Sequence, residues 1–268
     1  MKSFFDKFEK EQKFNLFVGD FLNKISGYPT RTDISEAILS EIKSSAKGYI
    51  KDLNSFSDIV QAYLDAVVDT KKNLIKQIKE NFEYRYNTNL DAYNNIINSK
   101  YFDTIFTLNF DTIIENNFSN MVNKITPYEV KDKINNKINY YKFFGDITNV
   151  GTVFISSQDI RKLKTLEFYN IFFKRVREEF KTRPTLFLGI NLEDSDLINT
   201  LDFILSPMKE LQGIYMVAST TIISSKAADF ISKYNIKLIT SDTIEFINYF
   251  KETLERESTI LPEKKFVW

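Results

Sequence analysis

Short runs of apolar residues recur along this chain, and most of them end abruptly at a glycine or a polar residue. Runs of this length and ending are typical of buried β-strands. Between them lie stretches in which apolar residues recur at three- and four-residue steps, as in amphipathic helices. The strand-like runs are Phe14–Val18, Thr104–Leu108, Tyr140–Phe144, Thr152–Ile155, Thr185–Leu188, Ile214–Ala218 and Ile236–Ile239. This alternation predicts an α/β fold with a mostly parallel sheet covered by helices.

The helical patterns predict a block of helices inserted after the first strand. The spacing of Asp33 and Glu36 is that of a capping box, and Ser57 is a candidate N-cap for a helical pattern over residues 54–83. Further helices are predicted over residues 1–13, 90–98, 158–181, 194–211, 224–234 and 243–255. We therefore expect one domain over residues 1–268, with a Rossmann-like core (14–32 and 100–250), a helical module (33–99) and a C-terminal tail (251–268) that is extended from Ser258.

The composition limits where the chain works and what it binds. With 268 residues and 43% apolar residues, it can build a substantial core. Lysine plus arginine and aspartate plus glutamate are equal at 36 each, so no global positive field attracts nucleic acid. No apolar run approaches the roughly 18 residues that span a bilayer. We expect a cytoplasmic protein that binds neither nucleic acid nor membrane.

Two residue types are absent, and their absence removes whole classes of chemistry. The chain has no cysteine, which excludes disulfides, thiolate catalysis and cysteine-based zinc sites. It also has no histidine, the usual general base near neutral pH. Any catalysis must use carboxylates, amides, hydroxyls or lysines, and no metal site is predicted.

The first strand runs into a glycine turn, the place where Rossmann-like folds bind a nucleotide phosphate. Asp20 and Phe21 stand where such turns need small residues, because backbone N–H groups must approach the phosphate closely. A carboxylate and a bulky ring oppose that approach, so a turn without a ligand is an equally open interpretation. The turn consists of Gly19, Asp20, Phe21, Leu22 and Asn23, and the loop after it contains Ser26, Gly27, Tyr28, Pro29 and Thr30.

Three later segments also carry polar residues at or just after a strand end. Ile105–Asp111 reads Ile-Phe-Thr-Leu-Asn-Phe-Asp, and Lys142–Ile147 reads Lys-Phe-Phe-Gly-Asp-Ile. Leu186–Leu197 reads Leu-Phe-Leu-Gly-Ile-Asn-Leu-Glu-Asp-Ser-Asp-Leu, in which Asp194 is a candidate helix cap. Each is a weak signal alone, since asparagine and aspartate commonly end strands. Their order along the chain gives them weight.

Together with the Ser-Gly-Tyr-Pro-Thr loop, these segments resemble the SIR2-like family. The resemblance covers about residues 15–250 and implies a site for NAD or ADP-ribose. It places Asn109 against the nicotinamide ribose, where the family's asparagine helps to position the attacking water. It places Gly189 and Asn191 toward the adenosine, with Gly145 also at the nucleotide. Asp111 is expected to cap the next helix.

Phe144 stands at the position of the family's catalytic histidine. Phenylalanine cannot accept a proton, and loss of a positioned base costs on the order of 10²- to 10⁴-fold in rate. Asp111 and Asp146 are the candidate substitute bases. NAD binding is itself in doubt because of Asp20 and Phe21.

The missing cysteines exclude the zinc ribbon of protein-deacetylating sirtuins, so deacetylation is not expected. The resemblance is to the prokaryotic branch of the family that acts in anti-phage defence by hydrolysing NAD. It implies assembly into a homo-oligomer or a complex with a separate defence sensor or effector protein.

Three functions remain open at this point. The chain is a pseudoenzyme that senses nucleotides, regulates or assembles, with Asn109 vestigial. Alternatively, it is an active NAD glycohydrolase that depletes NAD in infected cells. The third is an unrelated α/β interaction or structural protein.

Overall fold

A single parallel sheet forms the centre of the molecule. The computed structural model describes residues 13–66, 70–83, 88–99, 101–219 and 224–260. Within them seven strands pair in parallel in the order β3-β4-β2-β1-β5-β6-β7. The strands are β1 (Phe14–Val18), β2 (Phe102–Thr107), β3 (Val122–Ile125), β4 (Ile138–Lys142), β5 (Thr185–Leu188), β6 (Ile214–Ala218) and β7 (Lys237–Thr240). The predicted Rossmann-like α/β fold is confirmed.

Helices cover the sheet, and in the described part of the chain between β1 and β2 there are six of them, which form the predicted helical insertion. These six are α1 (Phe21–Ile25), α2 (Arg31–Glu41), α3 (Ser44–Lys47), α4 (Phe56–Ala66), α5 (Lys71–Glu83) and α6 (Asp91–Ile97). The later helices are α7 (Ile113–Asn117), α8 (Ser157–Thr165), α9 (Asn170–Thr182), α10 (Ser195–Leu205), α11 (Ser225–Lys233) and α12 (Thr243–Ile260), with a 3₁₀ turn at Glu167–Tyr169. None of the helices in the described ranges is long and apolar enough to cross a bilayer.

Strand β1 is buried along its whole length because both of its faces carry apolar side chains. Phe17 lies in register with Phe106 and Phe187, and this aromatic row packs against α8 to α11. Leu16 and its partners on the opposite face pack against α1, α6, α7 and α12. A third apolar cluster joins α2, α4 and α5 to the loops that follow β2 and β4. The helical module is therefore packed onto the carboxyl end of the sheet.

One predicted strand was wrong, and one strand of the sheet was not predicted. Thr152–Ile155 is a buried loop, in which the Phe154 N–H donates to the Phe144 carbonyl at 2.9 Å without forming a strand. Its apolar side chains belong to the core, which explains the strand-like pattern. Strand β3 escaped prediction because Asn123 and Lys124 make half of this four-residue strand polar.

Several helix boundaries also differ from prediction. Helix α2 begins earlier, because Thr30 is its N-cap and forms the capping box with Asp33. Ser57 lies inside α4. The patterns over 54–83 and 158–181 each divide into two helices, and α12 continues to Ile260, so part of the predicted extended tail is helical. Residues 1–12 of the predicted N-terminal helix over 1–13 and the remainder of the tail lie outside the described residues, and Lys13 is not helical.

Candidate functional site

The strand order reverses between β1 and β5: strands β2, β3 and β4 lie on one side of β1, and strands β5, β6 and β7 lie on its other side. Open α/β sheets bind ligands at such a switch point, outside the carboxyl ends of the strands. A cavity of about 580 Å³ lies there. Its lining includes Phe21, Gly189, Asn191, Val217 and Thr243. We call it the open cavity.

Acidic side chains dominate the charge of the open cavity. Among the described residues that line it, Lys24 is the one basic residue. The acidic lining residues are Asp20, Asp33, Glu36, Glu193 and Asp242. Carboxylates repel the phosphates of a dinucleotide, so the cavity lacks the charge that a pyrophosphate needs.

The glycines beside this cavity allow close contacts within the protein, where a larger residue would clash. A Cβ on Gly19 would lie 2.1 Å from the Gly189 carbonyl oxygen, so the ends of β1 and β5 touch through their backbones. Gly189 has φ +64, and a Cβ there would lie 2.6 Å from Leu22. Asp20 accepts the Arg31 backbone N–H at 2.7 Å. Because Arg31 is the first residue of α2, the protein's own carboxylate binds a donor of the kind that holds phosphate in Rossmann-like folds.

Residues of the predicted Ser-Gly-Tyr-Pro-Thr loop shape the turn into α2. Gly27 has φ +81, a backbone conformation that favours glycine. The Tyr28 N–H donates to the Asn23 carbonyl at 2.8 Å. Pro29 lines a second cavity, and the Thr30 side chain accepts the Asp33 N–H. The loop is thus fixed by internal hydrogen bonds.

The second cavity measures about 10 Å³, roughly the space of one water molecule. Asn109, Asp111, Asn23, Arg31 and Asp20 contribute to its lining. Asn109 is 7% exposed and Asp111 is 3% exposed. The residues expected at the nicotinamide ribose therefore surround a nearly filled space.

Asn23 joins these side chains into one hydrogen-bonded cluster. Its Oδ1 accepts the Tyr93 hydroxyl at 2.5 Å and the Asn109 amide at 3.5 Å, and its Nδ2 donates to Asp111 Oδ2 at 2.9 Å. Burial raises the pKa of Tyr93 well above its ordinary value, and the nearby Asp111 adds to this shift. Tyr93 therefore remains a neutral donor. We call Asn23, Tyr93, Asn109 and Asp111 the Asn23 cluster.

Phe144, which the sequence resemblance predicts at the family's histidine position, is 1% exposed and lies beneath Arg31. The guanidinium carbon of Arg31 is 5.8 Å from the centre of the Phe144 ring, within reach of a cation–π contact. Arg31, itself buried, also forms an ion pair with Asp194, while its Nη1 has no hydrogen-bond partner among the described residues. A ring and an ion-paired cation thus lie at the position predicted for the family's imidazole.

Neither candidate base is arranged as a free proton acceptor. Burial raises the pKa of Asp146, but the Lys142 charge and the hydrogen bonds from Lys124 and Thr148 outweigh it and lower that pKa to about 2. Such a carboxylate is a weak base at neutral pH. Asp111 accepts from Asn23 and, through Oδ1, from the Ile113 N–H at 3.0 Å. Asp111 was expected to cap the next helix, but the N-cap of α7 is Thr112, and Asp111 accepts the Ile113 N–H from the position before the cap.

The residues that follow β5 and begin α10 form hydrogen bonds to the helical module. Asp194 caps α10, as predicted. The next residue, Ser195, donates to Asp52 at 2.5 Å. Asp196 accepts from the Ser55 hydroxyl at 2.9 Å and from the Ser57 N–H and hydroxyl at 2.8 and 2.7 Å. Together with the Arg31 ion pair, three consecutive residues link α10 to the module.

Asn191 and Gly145, two of the predicted nucleotide-binding residues, make close contacts within the protein itself. The Asn191 side chain accepts the Glu193 N–H at 3.0 Å within its own loop. Gly145 has φ +79, and a Cβ there would lie 2.0 Å from the Thr152 carbonyl oxygen.

The sequence did not predict the roles of Arg31, Tyr93 and Asp196. Arg31 directly follows the Pro-Thr pair, and that position was the available signal.

The family assignment rests on this fold and on a match to a family model. The model for the SIR2-like domain matches residues 103–239, just over half of the chain. This chain belongs to the SIR2-like family. No curated protein matches it.

SIR2-like domains generally bind NAD, and the two cavities provide a test of whether this one fits it. The open cavity has the volume for an adenosine-sized group but an acidic lining. The second cavity, beside Asn109, has no space for a nicotinamide ring and its ribose. The residues present therefore do not fit a whole NAD molecule. Within the described residues, no group of histidine, cysteine, aspartate and glutamate side chains could hold a metal ion.

Proposed function

We propose that this SIR2-like protein is a pseudoenzyme in which NAD hydrolysis is lost or very weak. It acts as a regulatory or assembly subunit of a bacterial defence system. The observation that carries this proposal is the buried stack of Arg31 on Phe144, with Arg31 held by Asp194. Where the family's imidazole would act, this chain has a side chain that cannot take a proton.

The chemistry of NAD hydrolysis explains why this substitution matters. Cleavage of the nicotinamide–ribose bond expels neutral nicotinamide and leaves an oxocarbenium-like ribose, so the enzyme must position the ribose and provide a base for water. Asn109 is engaged with Asn23, and Asp146 is too weak a base. The active alternative, an NAD glycohydrolase, retains the support that Asn109 and Asp111 still lie together in one cluster.

Nicotinamide release from NAD distinguishes the two functions. We expect wild type, Asn109→Ala and Asn199→Ala to release nicotinamide at the same background rate, because no residue activates water. Asn199 is an exposed asparagine on α10 and serves as the matched control. Turnover by wild type and Asn199→Ala that Asn109→Ala abolishes would establish the glycohydrolase instead.

The same variants test the biological role in cells that carry the gene with its neighbours. If the protein regulates or assembles, Asn109→Ala protects a culture from phage as well as wild type does, while deletion of the gene removes protection. Loss of protection in Asn109→Ala with normal protein levels would contradict a non-catalytic role.

A further inference from the structure

Several exposed apolar side chains lie near Tyr128 and the start of α9, and none of them lines the open cavity or the second cavity. Tyr128, Leu166, Phe168 and Ile171 are 42%, 49%, 64% and 53% exposed. The Tyr128 and Phe168 rings lie 6.3 Å apart, and Ile171 follows Phe168 by three residues at the start of α9, on the same side of the chain. Single exposed apolar residues are ordinary, whereas a contiguous group marks an interaction surface. We call these four residues the apolar face.

The aromatic side chains of the apolar face pack against buried aromatic residues of the core. Tyr128 stacks on Phe154 at 5.5 Å and meets Tyr169 edge-on at 5.4 Å, and both of these partners are buried. Phe168 meets Tyr169 edge-on at 5.2 Å. Side chains that are already ordered lose little conformational entropy on binding, so these rings are suited to anchor a partner.

A groove of about 430 Å³ begins at Ile171, at the margin of the apolar face. Its remaining lining comes from charged residues, and the lysine and arginine side chains among them offer apolar stems below their charged ends. These residues are Asp132, Lys133, Lys174, Arg175 and Glu178. A protruding Phe168 and an adjacent groove on one face allow reciprocal insertion about a two-fold axis, since each copy presents both parts.

The charges around the groove favour a neutral partner. Arg175 pairs with Asp132 at 3.0 Å, and Lys133 forms an ion pair with Glu179. Lys181 pairs with Glu178 at 2.8 Å. Because both signs are present and paired within the chain, the surface offers no field that would select a strongly acidic or basic partner. This chain itself has no net formal charge.

We propose that the apolar face docks a second copy of this chain in a two-fold dimer. Phe168 of each copy inserts into the groove beside Ile171 of the other copy. The apolar face forms the centre of the interface, and the paired charges form its rim.

Sedimentation equilibrium tests the dimer and the residue at its centre. Wild type is expected to be a dimer at micromolar concentration, and Phe168→Glu should raise the dimer dissociation constant by about 30-fold or more, the effect of losing a hot-spot residue. Leu53→Glu is the matched control, because Leu53 is also 64% exposed but lies outside the apolar face. A monomeric wild type, or equal dissociation by both variants, would overturn the proposal.

Cysteine pairing tests the geometry without depending on the stability of Phe168→Glu. The chain has no cysteine, so a single introduced thiol is unique. We expect oxidation of a mixture of Phe168→Cys and Lys174→Cys to give a disulfide-linked dimer in greater yield than either variant alone. Equal yields in the mixture and in the separate variants would contradict the reciprocal insertion.

Discussion

Lys142→Met is expected to lower the free energy of unfolding by about 3 to 5 kcal/mol, the cost of removing one partner from a buried ion pair. The Lys142 side chain is 0% exposed, and its ammonium lies 2.5 Å from Glu115 and 3.9 Å from Asp146. It also donates to the Asp111 carbonyl. The variant leaves the Glu115 carboxylate buried without its cation. Chemical denaturation of both proteins measures the difference.

The penalty in Lys142→Met should grow as the pH rises. Burial raises the pKa of Glu115 even with Lys142 beside it, and without Lys142 that pKa rises further. A carboxyl whose pKa is raised in the folded state binds its proton more tightly there, so its stabilising effect is present at low pH and is lost as the pH rises through the folded pKa. The variant is therefore closer to wild type at about pH 5 than at about pH 8.

The exposed pair of Lys181 and Glu178 provides the control. These two side chains are 45% and 54% exposed, so Lys181→Met should leave the free energy of unfolding nearly unchanged. The double variant Lys142→Met with Glu115→Met should recover most of the loss, because a buried ion pair replaced by apolar residues is often neutral. Equal effects of Lys142→Met and Lys181→Met would contradict the buried pair.

Asp196→Ala is expected to lower the free energy of unfolding by about 3 kcal/mol, because it removes the acceptor for three hydrogen bonds. The Asp196 residue is 5% exposed, and the bonds come from Ser55 and Ser57 at the start of α4. The Ser57 N–H is left buried without a partner. Hydrogen exchange should show the largest loss of protection in α4, since this contact fixes the helical module to α10.

Asp229→Ala is the matched control for this prediction, because Asp229 is exposed on α11. Its effect should lie within about 0.5 kcal/mol of wild type. A double-mutant cycle with Ser57→Ala measures the coupling directly and should give an interaction energy on the order of 1 kcal/mol or more. If the two substitutions add without coupling, Asp196 does not hold the module.

The sequence predicted most of the sheet because burial on both faces leaves a strong local signal. Strands β1, β5 and β6 consist of apolar runs that end at a glycine or a polar residue. The signal failed where burial and strand formation separate. Thr152–Ile155 is buried as a loop, whereas β3 is a strand with a polar half.

The arrangement of the site depended on contacts that local patterns do not record. Asn109, Asp111 and Phe144 could be placed by resemblance, since each has a fixed position relative to a strand end. The pairing of Arg31 with Asp194 joins residues from separate halves of the sheet. Likewise, Tyr93 reaches Asn23 from the end of the helical module. A single sequence gives the residue types but not these long-range contacts, because they depend on how the helical module packs on the sheet.

Calorimetric titration of NAD into the wild-type protein tests the central claim, that protein side chains fill the nicotinamide end of the pocket. The small cavity at Asn109 and the Arg31 stack on Phe144 predict no saturable heat at NAD concentrations up to about 1 mM, a level at which a site of modest affinity would be occupied. One-to-one binding with a micromolar dissociation constant, weakened by Asn109→Ala, would contradict the account.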